Sequence, residues 1–309
     1  MGFLKSKLFR QLLVVGIIVL TFGIFIWYGA SHPKIISTVL GLNPIIIVFL
    51  AIAYSLTILA NGIILHFSLS YVRRKTSILD NILLTGYSSI VNFFGPLQSG
   101  PGFRAVYLKK KYGIEIKKFL LATFVFYLFF GVINLIIVII AGLVQKPEWR
   151  PAIIITALAL ALLSPLLLRL ALKKERIRAF IGSMRLKDKN FWLIGAGAVG
   201  LTLSSGLAYF IELNEISGHV GLGQVLVYTA TANLSLFVSL TPGAIGFREA
   251  FLIFSQQLHA IPTTTIFAAS VIDRAFYVAF LLVMFIVLLA INGRKKFLPS
   301  LTRSNQRRQ

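Results

Sequence analysis

The sequence predicts an all-α membrane protein with about six spanning helices and two re-entrant helical hairpins, arranged as an inverted repeat. The chain has 309 residues, of which 57% are hydrophobic, and its mean hydropathy is +0.87. Its apolar residues form runs long enough to cross a bilayer rather than the periodic pattern of a soluble domain. Its basic residues cluster between those runs, as expected of cytoplasmic loops that contact anionic lipid headgroups.

The predicted spans are six apolar runs that approach or exceed the roughly 20 residues a helix needs to cross the hydrocarbon core. The first run follows three basic residues, as in a secretory signal peptide, but the sequence after it, "WYGASHP", is a poor cleavage site. We therefore expect a retained first helix. The six runs are Leu12–Tyr28, Pro44–Leu65, Phe119–Val144, Pro151–Leu172, Phe191–Ile211 and Ile266–Ile291.

Two further apolar segments, Ile78–Leu97 and Gln224–Leu240, end at glycine–proline breaks. After each break comes a short helix-like segment with a similar sequence, "GFRAVYL" at Gly102–Leu108 and "GFREAFL" at Gly246–Leu252. The two strings lie 144 positions apart. We interpret them as equivalent elements of two repeated halves.

The distribution of charge favours hairpins over crossings for these two segments. If the first were a crossing, the basic segments Arg73–Lys75 and Arg104–Lys118 would lie on opposite sides, against the positive-inside rule. If both segments enter and leave on one side, 26 of the 31 Lys and Arg residues are cytoplasmic. The hairpin arrangement also places both chain termini in the cytoplasm, and we expect the protein in the cell membrane.

The order span, span, hairpin, span then occurs twice, beginning from opposite sides of the membrane. We predict one transmembrane domain over residues 1–292, with halves of about 1–146 and 147–292, followed by a basic cytoplasmic tail at 293–309. Transporters built from inverted repeats bind substrates at broken helices where the halves meet.

The glycine–proline breaks predict an anion site at the start of each short helix. The helices should restart near Phe103 and Phe247, with free N–H groups and positive dipole ends in the protein interior. The predicted lipid- or phosphate-binding residues are Arg104, Arg248, Gly100, Gly102, Gly243 and Gly246. The residues predicted to shape or pair within this site are Asn92, Pro96, Pro101, Pro242, Glu249, Asp273 and Arg274.

The charged members of this set allow two interpretations. In one, Arg248 and Glu249 form an internal ion pair, and Asp273 and Arg274 face the interior, because charges in lipid are costly, and connect Glu249 and Arg248 to the last helix. The five charged residues, Arg104 included, then carry one excess positive charge. In the other, the glycines and prolines only let helices pack, and the arginines extend to the membrane surface.

Several classes of function are disfavoured by the same sequence. The net charge of +22 lies in loops between apolar runs, without an aromatic–basic module, so we do not expect nucleic-acid binding. The four histidines are scattered and there is no cysteine, so we expect no metal site. The glycines of "GAGAVG", Gly195–Gly200, lie within a span and indicate close helix packing rather than a nucleotide loop, and we expect no cofactor.

The motif-bearing segments resemble the lysylphosphatidylglycerol synthase transmembrane-region family of flippase-like membrane proteins. The first, "SSIVNFFGPLQSGPGFRAVYLKKKYGI" at Ser88–Ile114, is similar to the family's Asn, Pro, Gly, Arg and Leu block. The second, "LTPGAIGFREAFL" at Leu240–Leu252, is similar to its Pro-Gly-Gly-x-Gly-x-x-Glu block, with Ala244 in place of the usual second glycine. The Arg of "DRAFY", Asp273–Tyr277, follows.

The resemblance implies movement of a phospholipid or lipid-linked carrier between leaflets, without the soluble aminoacyl-transferase domain of some relatives. The expected partner is an anionic phospholipid or lipid-linked phosphate. One alternative is a membrane scaffold for a lipid or glycan synthesis pathway. Another is a polyprenyl-phosphate-dependent transferase, but the predicted outer loops supply only Glu148, Glu212 and Glu215, with no paired-acid motif. We therefore do not expect an enzyme.

Overall fold

The structure, a computed structural model, describes residues 43–95, 99–145, 184–238 and 246–295, together with positions 41, 148, 151, 175, 182 and 244. This part of the chain is helical and contains no strand. Its helices are α1 Pro44–Tyr71, α2 Ile78–Phe94, α3 Gly100–Tyr112, α4 Ile116–Gln145, α5 Lys189–Ser217, α6 Leu222–Ser235, α7 Phe247–Phe254, α8 Gln256–His259 and α9 Thr263–Lys295.

Four of these helices, α1, α4, α5 and α9, are long and apolar enough to cross a membrane. Large apolar side chains such as Phe49, Leu135 and Ile286 are exposed on their surfaces, which suits contact with lipid tails. The four helices coincide with four of the six predicted spans. The other two runs, Leu12–Tyr28 and Pro151–Leu172, lie outside the described residues.

The first predicted break separates α2 from α3. Helix α2 ends at Phe94, before Gly95, and α3 begins at Gly100 rather than near Phe103. The earlier start has a physical reason, because Pro101 lies in the first turn, where a missing N–H leaves no helical hydrogen bond unmade. Helix α3 ends before Gly113, whose φ of 62° is the left-handed conformation that favours glycine.

The second predicted break separates α6 from α7. Helix α6 ends at Ser235, and α7 begins at Phe247, where the sequence predicted it. Ala244 lies between them with a φ of 58°, a conformation that disfavours L side chains and that glycine adopts freely. Pro96, Pro242 and Gly243, which were predicted to form the two breaks, lie outside the described residues.

Each pair of short helices has its own apolar core. Side chains of α2 and α3, such as Leu84 and Leu108, pack with Leu69 of α1 and Leu288 of α9. In the second pair, buried residues of α6 and α7, including Tyr228 and Leu252, pack with α5 and α9. The short helices therefore pack against the long ones.

The glycines of "GAGAVG" lie within α5, and two of them, Gly195 and Gly197, allow close helix packing, whereas Gly200 is exposed. A β-carbon at Gly195 would lie 2.9 Å from the Phe129 ring, and one at Gly197 would lie 2.6 Å from Ile64. Both distances are too short for ordinary packing, so α1 and α4 approach α5 closely at these points. This agrees with the prediction of close packing.

Helix α5 extends beyond the apolar run that predicted it, as far as Ser217. The prediction that Glu212 lies in an outer loop is therefore wrong, because Glu212 lies within the helix and is buried. The run appeared to end at Ile211 only because an acidic residue follows it. Glu215, also predicted in that loop, lies within the helix one turn later and is exposed.

Candidate functional site

An interior cavity of about 290 Å³ lies where the broken helices meet the long ones. Every described helix except α8 contributes to its wall. Three arginines from the two halves of the chain, Arg104, Arg248 and Arg274, line this cavity together with Asp273. The other polar side chains in the wall are Tyr54, Thr57, Asn61, Ser88, Ser89, Asn92, Tyr127, Ser205, Tyr209, Asn233 and Tyr277.

Two crossed ion pairs connect α7 to α9 beside the cavity. The Nη2 atom of Arg248 lies 2.6 Å from Oδ2 of Asp273, and Nη2 of Arg274 lies 2.6 Å from Oε1 of Glu249. The sequence neighbours Arg248 and Glu249 are 3.9 Å apart, which is a looser contact. All four side chains are at least 87% buried, so the pairing avoids isolated charges in the protein interior.

Glu249 also fixes the start of α7. Its Oε2 atom accepts a hydrogen bond of 2.8 Å from the backbone N–H of Gly246. A carboxylate at the third position of a helix stabilises the helix start by this hydrogen bond and by its interaction with the dipole. This N–H group is therefore already engaged within the protein, and Gly246 is not part of the cavity wall.

Arg104 lies on α3, in the first half of the chain, and its side chain lines the same cavity. Its Nε donates a hydrogen bond of 2.6 Å to the hydroxyl of Ser88 on α2. No carboxylate in the described part of the chain lies within 4.0 Å of its guanidinium group. Arg104 thus lines the cavity, and among the described residues its charge has no acidic partner within 4.0 Å, unlike Arg248 and Arg274.

The start of α3 is closely packed against α2. The N–H of Gly100 donates to Oδ1 of Asn92 at 3.3 Å, and a β-carbon at Gly100 would lie 2.7 Å from the carbonyl oxygen of Ser88. Pro101 lines the cavity beside them. Gly102, by contrast, is exposed and would have no atom within 4 Å of an added β-carbon, so it is not in the cavity wall.

Three residues near the arginines were not recognised from the sequence: Tyr54, Tyr209 and Glu212. Tyr209 accepts a hydrogen bond of 3.2 Å from Nη1 of Arg248. Tyr54 donates to Oε1 of Glu212 at 2.9 Å and lies 3.2 Å from Oδ1 of Asp273. Tyrosines are common in apolar helices, so the two tyrosines do not stand out in the sequence. Glu212 does, because an acidic residue directly after an apolar run is a candidate functional residue.

Asparagines join the helices at one end of the cavity, as expected for such residues in apolar segments. The Nδ2 atom of Asn233 on α6 donates to Oδ1 of Asn134 on α4 at 3.0 Å. Asn134 in turn donates to the hydroxyl of Thr202 on α5 at 3.3 Å. Asn61 instead bonds within its own helix, to the carbonyl of Thr57.

Long apolar helices around a cavity lined by charged side chains define this chain as a multi-pass helical membrane protein. Its sequence matches the lysylphosphatidylglycerol synthase TM region over residues 11–284, and the chain belongs to that family. Comparison with curated proteins gives no match. The family indicates a membrane protein involved in lipid handling.

Proposed function

We propose that this protein moves an anionic phospholipid or lipid-linked phosphate between membrane leaflets. Arg104 carries the proposal, because it lines the cavity without a carboxylate partner among the described residues. A phosphate there would receive charge-assisted hydrogen bonds from a guanidinium group inside a low-dielectric protein, where such bonds are strong. Arg248 and Arg274, which line the same cavity, add positive potential while their acidic partners hold them in place.

The proposal includes re-entrant hairpins and an inverted repeat. Its support is that α2–α3 and α6–α7 are both broken helices, lie at matching places in the sequence, and contribute their arginines to one cavity. In such an arrangement one half opens inward and the other outward, and the headgroup passes between them at the midplane. We infer cytoplasmic termini from the charge distribution.

The proposal is tested in proteoliposomes that contain only this protein. Fluorescent phosphatidylglycerol and phosphatidylcholine are compared, with an impermeant quencher reporting the leaflet each occupies. We expect faster exchange of phosphatidylglycerol than in protein-free liposomes, because its headgroup is anionic. Arg104→Ala should reduce this rate strongly, whereas Lys110→Ala, which alters an exposed lysine of the same helix, should not.

Each other result contradicts the proposal in a distinct way. Exchange equal to that of protein-free liposomes would favour a scaffold. Faster exchange of phosphatidylcholine than of phosphatidylglycerol would contradict the proposal that the arginines bind an anionic headgroup. Chemical turnover of a supplied polyprenyl phosphate would favour the transferase alternative.

A further inference from the structure

Glu212 is a carboxyl group in the protein interior that lacks a cationic partner. It is 1% exposed, and its Oε2 atom has no hydrogen-bond partner among the described residues. No Lys or Arg in the described part of the chain lies within 4.0 Å of it, whereas Glu249 and Asp273 each have an arginine at 2.6 Å. An unpaired carboxylate in such a place is far more costly than a neutral carboxylic acid.

The hydroxyl of Tyr54 lies between two carboxyl groups, 2.9 Å from Glu212 and 3.2 Å from Asp273. A single hydroxyl proton can be fully donated to only one of them. If Glu212 holds a proton on Oε1, it can donate to Tyr54, and Tyr54 can donate to Asp273. All three groups then have a hydrogen-bond partner, and Asp273 keeps its contact with Arg248.

The groups that face Glu212 come from every neighbouring helix. Asp273 disfavours the carboxylate by repulsion, and Arg248 favours it by attraction, but Arg248 is already paired with Asp273 at 2.6 Å. The remaining neighbours are tyrosine side chains, whose neutral hydroxyl groups do not compensate the negative charge of an ionised Glu212. The titratable and charged groups around Glu212 are Tyr54 of α1, Tyr209 of its own helix, Tyr228 of α6, Arg248 of α7 and Asp273 of α9.

Protonation of Glu212 changes the net charge of the cavity region. With Glu212 ionised, the arginines Arg104, Arg248 and Arg274 are balanced by Glu212, Glu249 and Asp273. With Glu212 neutral, one positive charge is in excess, which is what an anionic headgroup would neutralise. Proton binding and headgroup binding should therefore favour each other, and such linkage is reciprocal.

We propose that Glu212 is a proton-binding site and that a proton enters the cavity region together with an anionic lipid headgroup. The proton is thus a co-substrate, and a proton gradient can drive the lipid in one direction. Glu212 lies five residues before the end of α5, about 8 Å along the helix axis from that end, so a proton has a short path. This inference rests on the proposed function, because it assigns a second ligand to the same cavity.

The first experiment asks whether Glu212 holds a proton, independently of any lipid. Infrared spectra of the purified protein are recorded at neutral pH for the wild type, Glu212→Gln and Glu215→Gln. Glutamine has the shape of a protonated glutamate, so Glu212→Gln should fold. We expect the band of a protonated carboxyl group in the wild type and in Glu215→Gln, an exposed control on the same helix, and its loss in Glu212→Gln. A band unchanged in Glu212→Gln would overturn the proton site.

The second experiment measures the linkage by calorimetric binding of a short-chain phosphatidylglycerol in detergent across pH. Above the titration of Glu212, wild-type affinity should fall by up to about tenfold per pH unit, with one proton taken up per lipid. Glu212→Gln should bind with an affinity that does not vary with pH and without proton uptake. The same pH slope in both proteins would overturn the coupling.

The two experiments separate this inference from the proposed function. If the wild type binds no phosphatidylglycerol at any pH, the proposed function and the coupling both fail, while the infrared spectra still decide whether Glu212 holds a proton. If lipid binds with no proton uptake at any pH, the proposed function stands and the inference fails.

Discussion

At the scale of single residues, the arrangement of buried charges follows from helix geometry. Adjacent residues on a helix do not face each other, whereas side chains on packed helices can meet. Arg248 therefore pairs closely with Asp273, and Glu249 pairs with Arg274, across the contact between α7 and α9. The sequence analysis placed these four charges in the interior and connected Glu249 and Arg248 to the last helix through Asp273 and Arg274. It did not predict which arginine pairs with which acid, because that depends on how the two helices pack.

Arg248→Ala should impair both stability and transport far more than Lys109→Ala. Removing Arg248 leaves Asp273 buried without its cation, which typically costs about 3–5 kcal/mol. Lys109 is exposed, and surface substitutions usually change stability by less than about 0.5 kcal/mol. Thermal unfolding in detergent and lipid exchange at equal protein levels measure the two effects. Equal losses in both variants would contradict the buried role of Arg248.

Glu212 and Tyr54 were missed in the sequence because their partners lie on other helices. Glu212 was assigned to a loop because the apolar run stopped one residue before it, although α5 continues to Ser217. Tyr54 carries no charge and lies in an apolar run, so only the three-dimensional arrangement shows that its hydroxyl contacts two acids. Composition identifies which segments cross the membrane, but it does not identify the partners of a buried polar group.

At the scale of helices, glycine and proline made the breaks predictable. The end of α2 at Phe94 and the start of α7 at Phe247 follow from residues that interrupt or restart a helix. The start of α3 was predicted three residues late, because the proline at position 101 was interpreted as ending a helix and not as opening one. Its position relative to the helix decides between these two roles.

Gly100→Ala should destabilise the α2–α3 pair, whereas Gly102→Ala should not. A β-carbon at Gly100 would lie 2.7 Å from the Ser88 carbonyl oxygen, so the backbone must shift, at a typical cost of about 1–3 kcal/mol. At Gly102 the added methyl group meets no atom within 4 Å, and alanine should stabilise the helix by about 0.5–1 kcal/mol. Thermal unfolding of the two variants gives the comparison. A destabilised Gly102→Ala variant with an unaffected Gly100→Ala variant would contradict this packing.

The turn after α8 predicts a pH dependence of stability. The Nδ1 atom of buried His259 accepts from the N–H of Ile261 at 3.1 Å, and Nε2 donates to the carbonyl of Leu252 at 2.9 Å. Burial lowers the pKa of His259 below its ordinary value of 6.5, despite the hydrogen bond to Leu252. The folded protein then binds fewer protons than the unfolded chain below pH 6.5, so the free energy of unfolding falls as the pH decreases through the folded pKa.

Thermal unfolding as a function of pH measures this contribution. The wild type should lose stability as the pH falls below about 6.5, and His259→Gln, which lacks a group titrating there, should lose less. His219→Gln is the matched control, because His219 is exposed near the start of α6. A pH profile that His259→Gln leaves unchanged, or that His219→Gln alone alters, would contradict the assignment.

At the scale of the whole molecule, the distribution of positive charge predicts how the chain is oriented. Placing 26 of 31 basic residues on one side requires that α2 and α3 enter and leave the membrane on that side. The same orientation places the connection between α5 and α6, which contains no Lys or Arg, on the opposite side. The two broken pairs, α2–α3 and α6–α7, would then open to different sides of the bilayer.

Labelling of single cysteines tests this orientation, because the natural chain contains none. An impermeant maleimide added to intact cells should label His219→Cys, whereas Lys110→Cys and Lys174→Cys should react only after the membrane is permeabilised. Position 110 is informative because a spanning α2–α3 segment would place it on the opposite side of the membrane from Arg73–Lys75. Positions 110 and 174 share a side in either topology, because two predicted spans separate them. Labelling of Lys110→Cys from outside would contradict the inward-opening hairpin, and with it the proposed inverted repeat and the proposed alternating access to the arginine-lined cavity.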